Sequence, residues 1–210
     1  MHRRAYLDAA AIAVDLIADP SVAERWAEPS ALAAFTVGGL AGHLGRQISM
    51  LPEVLARPVA DQAPRDLMAH YGDVVWLGQD VDAPANVAIR AQSDEFAEVG
   101  HAQVVERIHT DLAALRASVP EAAPDQAVLL PWTGWALTLD DLLLTRMMEI
   151  AVHGDDLAVS VDLPTPAFPP QVFTPVLGLL TALAVERHGQ TAVLRGLSRR
   201  ERAPETISAL

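Results

Sequence analysis

The chain has 210 residues, of which 51 % are hydrophobic, and it carries a net charge of −12 at neutral pH with no cysteine. That length supports one sizeable core, and the acidity disfavours nucleic acid or an anionic membrane as a partner. The missing thiols exclude disulfides, thiolate metal sites and a cysteine nucleophile, so any metal must be held by His and carboxylate.

Aromatic residues make up 5 % of the chain and Ala, Val and Leu dominate the apolar set, a composition that leans toward helix. No run of 18 uncharged apolar residues occurs, so no membrane span is expected and the cytoplasm is the expected location. Arg3-Arg4 followed by Ala9–Ala13 has a faint likeness to a leader peptide. Asp8 and Asp15 interrupt it, and Leu7, Ile12, Val14, Leu16 and Ile17 fit an amphipathic first helix better.

Five or six helices are expected. The first covers about Arg4 to Ala18 and ends at Asp19-Pro20, and Trp26 and Pro29 lie in a connector. Thr36 can cap a second helix over about Val37 to Ala56, bent or shortened by Pro52. A third spans about Pro64 to Leu77, with Pro64 opening it and Gly78 following. Asn86 to Gln92 is partly β-branched and admits an extended segment. A helix over about His101 to Ser118 stops at Pro120. Val128-Leu129-Leu130 reads as extended and leads into Pro131-Trp132-Thr133-Gly134-Trp135. Thr138 then starts a long helix to about Ser160, with Asp140 and Asp141 in the first turn where the helix dipole favours them. A last helix runs from about Pro170 to His188. Residues 1–197 read as a single domain and 198–210 as a surface-hugging tail.

Two segments carry candidate chemistry. On the helix from Thr138, the residues Leu142, Thr145, Arg146, Glu149, His153, Asp156 and Ser160 share one stripe, and nearly everything else is apolar. An apolar arc that wide marks an embedded helix whose polar stripe faces a cavity or a buried site. Glu149 and His153, four apart, have Cβ atoms roughly 5–6 Å from each other, workable for two ligands of one ion. An i,i+4 ion pair is the plainer alternative, and Asp66 with His70 repeats the spacing elsewhere. The second segment, Thr36 to Arg46, packs Gly38, Gly39, Gly42 and Gly45 around His43. Each glycine costs a helix about 0.8–1 kcal/mol relative to Ala, which close approach of another helix or room for a ligand would offset. His43 taken alone fits a hydrogen-bonded core histidine, and it shares its face with Gly39, Leu40, Arg46, Gln47 and Met50. His2, His70, His101, His109 and His188 read as solvated, with His101 able to reach a site. Trp132 and Trp135 read as packing residues or as a pocket wall.

Together the two segments resemble the metal-binding helical domain of the mycothiol-dependent maleylpyruvate isomerases, within the DinB-like superfamily. The likeness begins at Trp26 and Pro29, runs through Thr36–Leu44, and is strongest over Arg146-Met147-Met148-Glu149-Ile150-Ala151-Val152-His153-Gly154-Asp155-Asp156-Leu157. Arg199-Arg200-Glu201-Arg202-Ala203-Pro204 resembles how such domains finish. The resemblance implies an all-α fold, a DinB-like four-helix bundle with extra short helices and at most one short β-hairpin. It implies one divalent ion held by His43, Glu149 and His153, with zinc first and nickel, iron or manganese as the other metals these ligands suit. It further implies mycothiol, the small thiol of actinobacteria, as cosubstrate with a small electrophilic substrate, in thiol transfer or thiol-assisted isomerisation. A non-catalytic metal-binding or sensor protein of the same superfamily is the alternative. Arg46 or Arg146 would pair with a substrate carboxylate, although Arg146 could equally pair with Glu149 or Asp141. Asp156 would support a ligand histidine. The isomerases carry a further C-terminal domain, whereas about one helix and a tail follow the metal motif here. A homodimer is an open expectation.

Overall fold

The computed structural model describes residues 1–58, 61–75 and 78–210. Six helices fall where the periodicity puts them: α1 Arg3–Ile17, α3 Val37–Ala56, α4 Leu67–Asp73, α6 His101–Ser118, α7 Leu139–Ser160 and α8 Pro170–His188. Three more are present among the described residues: α2 Pro20–Glu24, α5 Pro84–Ala97 and α9 Gln190–Ser198. The caps explain the sharper boundaries. Thr36 accepts from the Gly39 amide at 2.9 Å and Thr138 from the Asp141 amide at 3.0 Å, each taking up a donor that the first helical turn leaves over. Asp66 caps α4 by accepting from Met68 and Ala69, so that helix begins at Leu67 and not at Pro64. The expected end of that helix at Leu77 lies outside the described residues.

Helices α1, α3, α6 and α7 form the bundle. Both α1 and α3 pack against α6 and α7 as well as against each other. Helix α8 covers α7 and α1, and α9 lies on α8. The core between these helices includes Tyr6, Ile17, Leu40, Leu44, Ile48, Leu51, Ile108, Leu115, Leu139 and Leu142, each fully buried. Strands β1 Ala127–Leu129 and β2 Ala136–Thr138 pair antiparallel, with Val128 opposite Leu137. Gly134 turns this hairpin at φ +82°, a left-handed conformation that a side chain resists. All-α with one short hairpin describes the molecule, and among the described residues no helix is long and apolar enough to cross a membrane.

The segment Asn86 to Gln92 is helical, correcting the extended expectation. Val87 and Ile89 lower its helix propensity, but Pro84 opens α5 at its first turn and tertiary packing decides the rest. Helix α5 lies on the glycine face of α3. A Cβ on Gly42 would collide with the Ser93 carbonyl, one on Gly39 with the Asp94 carboxylate, and one on Gly45 would press on Phe96 and Ile108 at 3.2 Å. Gly38 receives the Trp26 ring in the same way, a Cβ there lying 2.7 Å from the indole. The glycine cost is thus offset by close approach of α5 and of the connector after α2.

Candidate metal centre

Helix α7 carries Glu149 and His153 on successive turns, and α3 crosses it so that His43 meets them. His43 Nε2 lies 3.3 Å and His153 Nε2 3.4 Å from the same carboxylate oxygen, Glu149 Oε2. The two imidazole rings stand edge to face with centroids 4.7 Å apart. One ligand atom from each of the three lies within 4.8 Å of the others. The side chains are recessed yet reachable, His43 being 13 % exposed and Glu149 and His153 18 % each.

Hydrogen bonds behind the rings set their tautomers. The Ser93 hydroxyl donates to the Ile89 carbonyl at 2.7 Å, so its oxygen is left to accept from His43 Nδ1 at 3.3 Å. His153 Nδ1 donates to Asp156 Oδ2 at 2.9 Å. Asp156 thus fixes the orientation of the His153 ring from behind. With both Nδ1 atoms carrying the proton, a neutral His43 and a neutral His153 each turn a bare Nε2 lone pair toward Glu149 Oε2. Three acceptors facing one another repel unless a cation sits among them.

In the metal-free protein a proton takes that role. Burial opposes charge on His153, but hydrogen bonds to Asp156 and Glu149 outweigh it and hold its pKa up at about 9. Burial likewise works against the Glu149 carboxylate, yet His153, His43 and Arg146 hold it ionised well below the usual carboxylate range. His43 is pushed down, chiefly by burial, so it stays neutral. The donors also fit a divalent ion by distance. Tetrahedral zinc with N and O ligands about 2.0–2.1 Å away sets neighbouring ligand atoms about 3.3 Å apart. The 3.3 and 3.4 Å separations here match that spacing on two of the cluster's three edges.

Arg146 is 8 % exposed and lies at this site, bonded to neither Glu149 nor Asp141. Its Nη1 donates to Gln47 Oε1 at 2.5 Å and its Nε to Thr145 Oγ1 at 3.1 Å, and the guanidinium sits 6.0 Å from the Trp132 ring centroid. Asp141 instead accepts from the Thr138 hydroxyl. Trp132, on the hairpin turn, is 42 % exposed. Arg46 points to Gln92, donating at 2.6 Å near the surface. Trp135 turns away from the cluster: its indole donates to His70 Nδ1 at 3.0 Å, and Arg65 stacks on it.

His70 is thus buried, not solvated as expected, because α4 tucks it beneath the hairpin. His101 donates from Nε2 to the Ile17 carbonyl at 2.8 Å and meets Trp26 edge-on, tying α6 to the end of α1 without reaching the cluster. His2 is half-buried against Asp140, and His188 bonds the Ser208 carbonyl of the tail, so neither is simply solvated. Ser93 and Gln47 are the site residues that sequence reasoning missed. Gln47 shares His43's helical face, a signal too common to act on, and Ser93 lies just beyond a segment read as extended. A cavity of about 330 Å³ bounded by Val152, Leu180, Val193 and Ile207 is apolar and stands apart from the ligand cluster.

A helical bundle whose central helices α3 and α7 converge a His–Glu–His cluster on one point is a DinB-like bundle with a candidate metal centre. The profile of the mycothiol maleylpyruvate isomerase N-terminal domain matches residues 6–158, which include all three cluster residues. The chain belongs to that family, a DinB-like one. Neither a curated protein nor a solved structure matches the chain.

Proposed function

We propose that this protein binds one divalent ion, zinc first, at His43, Glu149 and His153, and acts as a cytoplasmic mycothiol-dependent S-transferase or isomerase-type enzyme. The observation that carries the metal reading is the convergence of His43 Nε2 and His153 Nε2 on one carboxylate oxygen at 3.3 and 3.4 Å. Three His and carboxylate ligands leave an open position, the arrangement of catalytic zinc. An ion bound there supplies the charge that holds a thiol as thiolate at neutral pH. With no cysteine in the chain, the sulfur must come from a small molecule, and the family match makes mycothiol the first candidate.

The protein's own part is positioning. Ser93 and Asp156 keep the ligand rings in one tautomer, and Glu149 stays ionised. Arg146 and Trp132 form the wall proposed for an electrophilic substrate, with Arg46 at the rim and Trp135 bracing the hairpin behind. In transfer, the thiolate sulfur bonds to the electrophilic carbon, the leaving group departs with the bonding pair, and the thiol proton goes to solvent. In isomerisation the thiolate adds to a conjugated double bond whose π pair moves onto the activating carbonyl, and the resulting single bond rotates. The pair then returns to re-form the double bond as the S–C bond breaks and releases the thiolate.

Metal analysis of untagged protein, beside His43→Ala and His153→Ala, tests the site. About one ion per wild-type chain and a loss in both variants is expected. A wild type that carries no stoichiometric ion and takes none up would sink the proposal. Conjugation assays with and without mycothiol then test the reaction. A protein that holds the ion and conjugates nothing is instead a non-catalytic metal-binding or sensor protein.

A further inference from the structure

Gln47 is 2 % exposed and stands one turn after His43 on α3. A neighbour sorts its two polar atoms. The Arg146 guanidinium donates to Oε1 at 2.5 Å, which commits that oxygen as acceptor and leaves Nε2 as the donor end. Nε2 donates to the His43 carbonyl at 3.0 Å and lies 3.4 Å from His43 Nε2, the lone pair that faces Glu149. The flipped amide would set its NH₂ against the guanidinium, donor on donor, so the orientation is locked.

The geometry points to Gln47 as a fixed N–H donor for an anionic ligand atom at the His43–Glu149–His153 centre, with Arg146 as the residue that fixes its orientation. This inference rests on the metal reading above. Once a cation takes the His43 Nε2 lone pair, the Gln47 N–H loses that acceptor. Arg146 and the His43 carbonyl still hold the amide in place. An anionic ligand atom such as a thiolate sulfur keeps lone pairs after it binds a metal and can accept the hydrogen bond. A neutral imidazole spends its one lone pair on the metal and cannot. The donor therefore selects for anions, and a hydrogen bond to a charged group is worth about tenfold in affinity or more. The Arg146 charge acts in the same direction, since among the described residues its hydrogen bonds go to no carboxylate.

The test is to titrate cobalt-loaded protein with azide and, separately, with imidazole, followed by the visible cobalt spectrum. Gln47→Met keeps the volume and removes the donor, whereas Gln47→Asn keeps the amide but withdraws it by one methylene. In both variants azide affinity is expected to fall about tenfold, with imidazole affinity within about twofold and cobalt stoichiometry unchanged. Unchanged azide affinity overturns the inference, and so does an equal loss for both probes, which would mark a packing role. If Gln47→Met does not fold, Gln47→Asn carries the same test. A wild type that takes up no cobalt refutes the metal reading and this inference together, and it is told apart by the missing spectrum before any probe is added.

Discussion

Metal uptake by this site should expel about one proton near pH 7.5, and the number follows from the hydrogen bonds. Asp156 at 2.9 Å and Glu149 at 3.4 Å hold the His153 pKa at about 9, while Glu149 is already ionised and His43 already neutral. At pH 7.5 His153 is then almost fully protonated, and a cation must displace that proton. A histidine of ordinary pKa, about 6.5, would release only about a tenth of a proton at the same pH. The displaced proton weakens metal affinity about 30-fold at pH 7.5 relative to the limit above pH 9, and log affinity should rise about one unit per pH unit up to that point. Isothermal titration calorimetry with Cd²⁺, whose bound water stays neutral at this pH, in two buffers of different ionisation enthalpy reads the proton count directly. A release near a tenth of a proton, with affinity flat between pH 7 and 9, would refute the reasoning. The linkage also sets the metal-free protein's stability. Because His153 is raised on folding, its contribution is complete below the unfolded value of about 6.5 and is lost as pH climbs through 9.

Asp156→Asn removes the carboxylate behind His153, so metal affinity should fall about 10–100-fold, and the proton count in the same calorimetry should fall with it. Gly42→Val drives a side chain into the Ser93 carbonyl; a loss of about 1–3 kcal/mol is expected, seen as a Tm drop of several degrees, and metal affinity should weaken too because Ser93 must leave His43. An unchanged Tm would mean that α5 does not press on α3 there. His70, held down at about 4 by burial and by Arg146 and Arg65, binds its proton more readily when unfolded. Its contribution is therefore present above about pH 6.5 and lost as pH falls toward 4, on the order of 2 kcal/mol. Urea unfolding of wild type and His70→Phe across that range should converge at low pH, and parallel curves would contradict it.

Much of the helical frame is written locally. Thr36 before the glycine run and Thr138 before Asp140-Asp141 mark the starts of α3 and α7 because capping depends on residues within one turn. The pairing of Glu149 with His153 on one face of α7 follows from the helical period alone, as does the embedding of a helix with so wide an apolar arc. Helix α5 could not be read this way. Val87 and Ile89 argue for an extended chain locally, and what stabilises the helix is a surface supplied by glycines more than forty residues earlier.

The sequence by itself determined which residue types were able to bind a metal, since without cysteine only His and carboxylate remain, and which two of them share a helical face. Tertiary structure decided the rest: that His43 crosses to Glu149, that Ser93 and Asp156 rather than solvent set the ring tautomers, and that Arg146 turns to Gln47 instead of to the acids on its own helix. The reason is one of range. Helical periodicity is enforced by bonds within four residues, whereas a lone pair's direction depends on atoms some 3 Å away in space that belong to another helix.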